Sequence, residues 1–465
     1  MDTNIVSAEA RTGERSGRRM LPKAAAFWIL AGLFLMLFLA SAAPSPLYRV
    51  YQVQFRFSAS TLTAVFAVYV LVLLVTLLFF GSVSDHLGRR PVIITGLLFS
   101  AAGCAVFLGA HGVGALYAAR SLQGIATGLG SGAIGAALIE LQPSHSQRAS
   151  TVTSAFAEEG SALGALITSA LVVYAPAPTH LIWWVLLAVF AIGVVAVLAM
   201  AEPGSTRPGV VASLWPRVAV PRPARGTFAG AVPCLIAVWA LGGLYLSLGP
   251  SLGAELTGSA NLLWGGVVIF LLAGTGGAAV FLLRDISSRA AMLAGCLFLL
   301  AGVAVTFGAI ATTTSAAFLA GTGVAGVGFG LAYLGSFRMT VSLATPGERA
   351  GLLAAIFIVA YLAFSIPVLI AGVATTRFGL HSTALAYSAS IAVLVAAAVG
   401  ILVLHPVGAP ARPAPDVRAV MPPGPCTVPP CLQALNSADR SPARSPVRQS
   451  VTASSSLANH AGDTQ

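Results

Sequence analysis

Charge is scarce in this sequence. Only 8% of its 465 residues are Asp, Glu, Lys or Arg, while 57% are hydrophobic, and the mean hydropathy is +0.89. A water-facing surface needs about a quarter of its residues charged. The shortage therefore excludes a soluble globular protein for the bulk of the chain. Acid is scarcer than base, with 14 Asp and Glu against 25 Lys and Arg. A basic excess of that size suits a nucleic-acid binder. Here, however, the basic residues fall between apolar runs, where topology explains them, and no nucleic-acid partner is expected. Cysteine is sparse and scattered, at Cys104, Cys234, Cys296, Cys426 and Cys431, which gives neither a disulfide framework nor a zinc site. All seven histidines fall in loops or tails, leaving no buried histidine relay. No Gly-x-x-x-x-Gly-Lys-Ser/Thr loop is present, so ATP hydrolysis by this chain is excluded. No nucleophile, metal set or acid–base pair stands out within the apolar runs. Neither an enzyme nor a bound cofactor or metal is expected.

What is present is a succession of apolar runs, each about the 20 residues that cross a bilayer. They lie near 24–43, 62–82, 91–110, 114–139, 150–174, 181–201, 227–249, 261–283, 290–310, 315–337, 350–374 and 382–404. Ala40-Ser41-Ala42 has the look of a signal cleavage site. The first run is long for a signal core, however, and many like it follow, so it is expected to stay as a span. The twelve runs predict an all-α integral membrane fold. With the N-terminus inside, 21 of the 25 Lys and Arg fall on the inner side, Arg49, Arg56 and Arg377 outside, and Arg120 within a span. A wrong span count would scramble that asymmetry. Both termini are therefore expected in the cytoplasm, and the protein in the plasma (cell inner) membrane.

The longest linker between runs, rich in Pro and Arg, divides them six and six. The expected segments are a cytoplasmic start at 1–23, a six-helix bundle at 24–201, a linker at 202–226, a second bundle at 227–404 and a Pro-, Ser- and Arg-rich tail at 405–465. The tail lacks apolar periodicity and is expected to be disordered. The two halves repeat. Asp85 and Arg89, between the second and third runs, return 200 residues later as Asp285 and Arg289. Gln147-Arg148-Ala149-Ser150 returns as Glu348-Arg349-Ala350-Gly351, 201 residues on. The glycine-dense fourth run is echoed by the tenth. Two pseudo-symmetric six-helix bundles in the same orientation imply duplication about an axis along the membrane normal.

Gly81-x-x-Ser84-Asp85-x-x-Gly88-Arg89-Arg90 sets glycines, an acid and paired arginines in a short connection between two spans. It resembles the signature loop between helices 2 and 3 of the major facilitator superfamily. Arg120-Ser-Leu-Gln123-Gly124-x-x-x-Gly128 in the fourth run resembles a second motif of that family. The resemblance covers roughly residues 24–404. It implies alternating access by two rocking bundles around a central site, usually driven by an ion gradient, and it ties Arg120 to proton coupling. Drug/proton antiporters of the family typically carry a glycine- and proline-rich motif in helix 5. Here Glu158-Glu159-Gly160-Ser-Ala-Leu-Gly164 keeps the glycines and has no proline. The second copy of the loop likewise lacks the glycines.

Several residues are singled out by type and spacing. Asp85 and Arg89 form a conformational latch, or more plainly a topology anchor. Arg120, Gly124, Gly128, Gly132, Ala136 and Glu140 repeat every four residues and form one stripe. Glu140 ends about 30 Å from Arg120, beside the Gly81–Arg90 loop. It is expected either to pair with Arg89 or Arg90 or to stand as a solvated helix-end acid. If the fifth helix starts near Ala149, Glu158 lies about 14 Å deep. An acid at that depth is usually functional, so Glu158 or Glu159 is expected to carry the coupling proton or bind a cationic substrate. A later helix start would leave both in the interface. Arg120 either reaches toward Glu158 or snorkels to the outer interface. Tyr69, Trp239, Tyr245, Asn261, Trp264, Tyr333 and Tyr361 are candidates to line a central cavity; Trp and Tyr near span ends more commonly form an interfacial belt, so of these only Tyr69, Tyr245 and Tyr361 are expected in the substrate cavity. Pro233, Pro250 and Pro367 are expected to kink helices 7 and 11. The function these features predict is a secondary transporter, proton-coupled and exporting a small amphiphilic or cationic molecule. An uptake symporter and a non-transporting sensor or scaffold stand as alternatives. The expected partners are that substrate, protons or another coupling ion, and the lipid bilayer, with the chain acting as a monomer.

Overall fold

Among the described residues, twelve helices are long and apolar enough to cross a membrane. They are α1 (Lys23–Ala42), α2 (Ala59–Phe80), α3 (Arg89–Leu108), α4 (Val113–Leu141), α5 (Ser146–Tyr174), α6 (Leu181–Leu198), α7 (Arg225–Ser247), α8 (Leu263–Leu282), α9 (Ser288–Ala311), α10 (Ser315–Val341), α11 (Arg349–Phe378) and α12 (Leu380–Leu404). The computed structural model describes residues 21–142, 146–204, 208–216, 218–345 and 347–404. The side chains of 146–148, 150 and 212 are not among those described. Nearly all of the expected N-terminal segment and the whole expected tail lie outside the described residues. Those residues contain no strand.

Proline shapes the helix ends. The first run does not end in a loop: after Ala42 the chain turns at Ala43 and continues as a helix over Pro44–Phe55. Proline lacks an N–H and has a helical φ, so it starts a helix at no hydrogen-bond cost while breaking the one before it. Pro250 acts in the same way. It stands at the start of a separate short helix, Gly249–Thr257, and so does not kink helix 7 as expected. Pro233 and Pro367 do lie inside α7 and α11.

The largest apolar clusters divide along the chain. One gathers residues mainly of α1 to α6, and the other residues of α7 to α10 and α12. Small residues let the helices of each group approach closely. A Cβ on Gly124 would stand 2.7 Å from the Tyr69 carbonyl of α2. In the second group Gly330 abuts the backbone of α8 at Gly276. The two six-helix bundles meet along two seams, α2 with α11 and α5 with α8. The Gly81–Arg90 connection defines one face of the molecule, here called the basic face. Toward the opposite face the seams are shut: Thr63 lies against Gly372, Ser169 lies against Gly266, and the Phe66 and Phe364 rings stand 5.3 Å apart edge to face.

Candidate functional site

Between the bundles lies a cavity of about 450 Å³. It runs from Ser41 and Tyr245 at its deep end to Ile139, Phe337 and Phe357 near the basic face. Aromatic rings make up much of its wall. Trp239 stands at the centre of a cluster, 5.8 Å from Tyr333, 5.2 Å from Tyr361 and 5.4 Å from Phe364 between ring centroids. The buried Trp239 Nε1 has no hydrogen-bond partner among the described residues. Tyr69, Tyr245 and Tyr361 all line this cavity, and so do Trp239 and Tyr333, two further candidates for which sequence favours the interfacial reading. Both sit within their helices, on the faces turned to the other bundle rather than to lipid. Asn261 lies instead at the entry to α8, where its Oδ1 accepts from the Leu263 amide at 2.9 Å, and Trp264 does not line the cavity.

Among the described residues, Glu158 is the only acid lining the cavity, and Lys, Arg and His are absent from its wall. It projects from α5 beside Thr153, Ser154 and Ser161. Glu159, the next residue, turns away, and its carboxylate lies against Gly277 of α8. No ion pair joins either glutamate to another described residue. The fifth helix begins at Ser146, so these acids stand more than two turns inside it.

Arg120 does not snorkel, and it does not meet Glu158. Its side chain is 1% exposed. Nη1 donates to the Ser41 carbonyl at 2.7 Å and to Gln123 Oε1 at 2.8 Å, and the guanidinium sits 4.0 Å from the centroid of the Tyr69 ring. Gln123 Nε2 donates to the Ala40 carbonyl at 2.9 Å. The cause is the break at Pro44. In an unbroken helix the amide of residue 44 would bond the Ala40 carbonyl, but proline has none. Arg120 and Gln123 satisfy carbonyls left at the end of α1, where a cation also suits the helix dipole. Tyr69 covers this arrangement with one face and offers the other to the cavity.

On the basic face, Arg89 forms ion pairs with Asp85 and with Glu140, the latter at 2.7 Å from Nη2 to Oε1. It also donates to Ser84 Oγ at 2.6 Å. The fourfold stripe thus ends where its spacing led, with Arg89 rather than Arg90 as the partner. Arg90 caps the end of α6 instead, donating to the Val197 and Leu198 carbonyls at 3.1 and 2.6 Å. Glu202 was missed by sequence reasoning. It accepts from the amides of Arg89 and Arg90 and so caps the start of α3. This fit depends on Gly88 at φ +98°, a conformation other residues rarely adopt. Gly81 ends α2 in ordinary helical geometry. The signal for Glu202 was available: it is one of only 14 acids, and it stands just beyond an apolar run. The second copy of the loop does not form the same cluster. Asp285 lies 3.6 Å from its neighbour Arg284 and is exposed, and Arg289 donates to the Leu402 carbonyl at 3.3 Å. The position 201 residues after Glu140 is Val341, so Arg289 has no acid to meet there.

Comparison with known proteins follows the same lines. The family model of the Major Facilitator Superfamily matches residues 28–366. Among solved structures, the nucleoside transporter NupG superposes with a TM-score of 0.65 at 12% identity, covering 82% of this chain and 100% of that one. The human organic anion transporter MFSD10 (TETRAN) gives 0.58 at 18% identity, covering 81% and 100%. At these identities the likeness is one of fold. No curated protein matches the sequence.

Proposed function

The chain belongs to the Major Facilitator Superfamily and is a multi-pass membrane transporter of the secondary class rather than an enzyme; on that premise we propose that it exports a small amphiphilic or cationic molecule in exchange for protons. One observation carries the reading: a single carboxylate, Glu158, stands in the wall of an otherwise aromatic and hydroxyl-bearing cavity. Aromatic faces attract an organic cation, and an acid within a span is costly unless it serves a purpose. A proton and a cationic substrate would then compete for one carboxylate, which is the simplest chemistry of exchange. Arg120, held beneath Tyr69, shapes the deep end of the cavity without presenting its charge to the substrate.

The rest of the proposal follows from alternating access. The bundles rock about the cavity, and the Asp85–Arg89–Glu140 cluster acts as a latch on the basic face. That face is cytoplasmic on the lysine and arginine count, which puts both termini inside the cell membrane. The chain works as a monomer. Of the two transporters compared above, the nucleoside transporter suits this cavity better than the organic anion transporter. A planar ring fits an aromatic wall, whereas an anion would find no cation in the lining.

Reconstitution in proteoliposomes with an imposed pH gradient tests the reading. Candidate compounds, aromatic cations and nucleosides among them, are screened for flux against proton movement. Export predicts substrate accumulation on the acidic side, with protons moving the other way. Co-movement of substrate and proton would make the protein an uptake symporter, and binding without flux would make it a sensor; either result overturns the proposal.

A further inference from the structure

Glu158 and Glu159 are neighbours in sequence but not in setting. Consecutive residues on a helix point about 100° apart. Glu158 therefore faces the cavity, while Glu159 enters the seam between α5 and α8. That seam joins the two bundles. As the carboxylate is seated, it fills the space left by the missing side chain at Gly277 of α8: a Cβ there would stand 2.6 Å from Glu159 Oε1 and 3.2 Å from the Glu158 Cβ. The notch is local. A Cβ on Gly274, one turn earlier, would meet the Ala162 Cβ of α5 at an ordinary 3.6 Å. Gly276 faces the other way, with its absent Cβ 3.0 Å from the Gly326 carbonyl of α10. Packing within the second bundle thus accounts for Gly276, and the acid of the first bundle accounts for Gly277.

We infer that Gly277 is a positioning residue for Glu159, seating it in the seam between the bundles, where it couples the proton exchanged at Glu158 to their movement. This rests on the reading that the glutamate pair handles the coupling proton. The surroundings of Glu159 support the assignment. On α5 the nearest charged group is Glu158. Span α8 carries no Asp, Glu, Lys, Arg or His. Helix α1, packed on the other side of α5 at Gly160 and Gly164, carries only Lys23, at its far end. From α10, Tyr333 lines the same cavity as Glu158, and Arg120 is engaged elsewhere. With no cation set against it, the charged form of Glu159 is costly while the seam is closed. It is relieved when rocking opens the seam to water. The acid's proton then follows the position of the bundles, which is what coupling requires.

The test is the pH profile of transport in proteoliposomes, with thermal melting as a check on folding. Gly277→Ala is expected to move the midpoint of the profile by about one pH unit, a tenfold change in proton affinity. Gly274→Ala is expected to leave it in place. Shortening the acid should relieve the conflict, so Gly277→Ala with Glu159→Asp is expected to recover most of the shift. An unmoved midpoint in a folded Gly277→Ala protein, or a shift that Glu159→Asp does not relieve, overturns the inference. If Gly277→Ala fails to fold, Glu158→Gln and Glu159→Gln decide. Loss of pH dependence in Glu159→Gln supports the inference. Loss only in Glu158→Gln overturns it while leaving proton coupling intact. Unchanged dependence in both removes the proton reading itself.

Discussion

The Arg89 side chain has three polar partners on the basic face, Asp85, Ser84 and Glu140. Glu140→Arg or Arg89→Glu alone is expected to destabilise the protein by about 1–3 kcal/mol, since a partly buried donor or acceptor loses its partner. The double reversal should recover part of that loss in thermal melting, and only part, because Asp85 would then face a like charge. No recovery would count against the pair as a latch. Arg120→Leu leaves the Ser41 carbonyl and Gln123 Oε1 without their donor, at about 1–3 kcal/mol for each buried group. It should lower the melting temperature more than a change at Arg90, whose contacts lie at an exposed helix end. At this scale spacing was informative where a helix linked two residues, as with Arg120 and Glu140. It was uninformative where the partner came from a distant turn, as with Glu202 and Gly88. Trp239 and Tyr333 could not be separated from interfacial residues, because residue type and position in a run do not tell which side of a helix faces lipid.

Among the elements, the span count was legible because bilayer thickness fixes helix length and the basic residues mark one side. The helices Pro44–Phe55 and Gly249–Thr257 were not. Each follows a span closely, and each has a proline within its first two residues that serves as a start in structure. Glycine spacing told of close packing without naming the neighbour. The structure supplies it: Thr63 of α2 occupies the space beside Gly372 of α11, and Ser169 of α5 that beside Gly266 of α8. A leucine at Gly372 is therefore expected to hold the seam apart on the opposite face. A cysteine introduced at Ser41, at the deep end of the cavity, should then react faster with a water-soluble thiol reagent applied from that face, and transport should fall. Equal reactivity with and without the leucine would show that this seam is not the barrier.

For the whole molecule, duplication was visible as a 200-residue echo, yet the two copies have diverged in chemistry. The first half holds the arginine cluster, the buried Arg120 and both glutamates. The second half supplies much of the aromatic wall and the notch at Gly277. The bundles are thus alike in fold and unequal in task, and the cavity between them needs both. The central claim is that Glu158 is where substrate and proton exchange. It is tested most directly by measuring proton release from purified protein in weakly buffered detergent solution as a transported substrate is added. The wild-type protein is predicted to release protons on binding, and Glu158→Gln to bind the substrate with no release. Equal proton release from the variant would contradict the account.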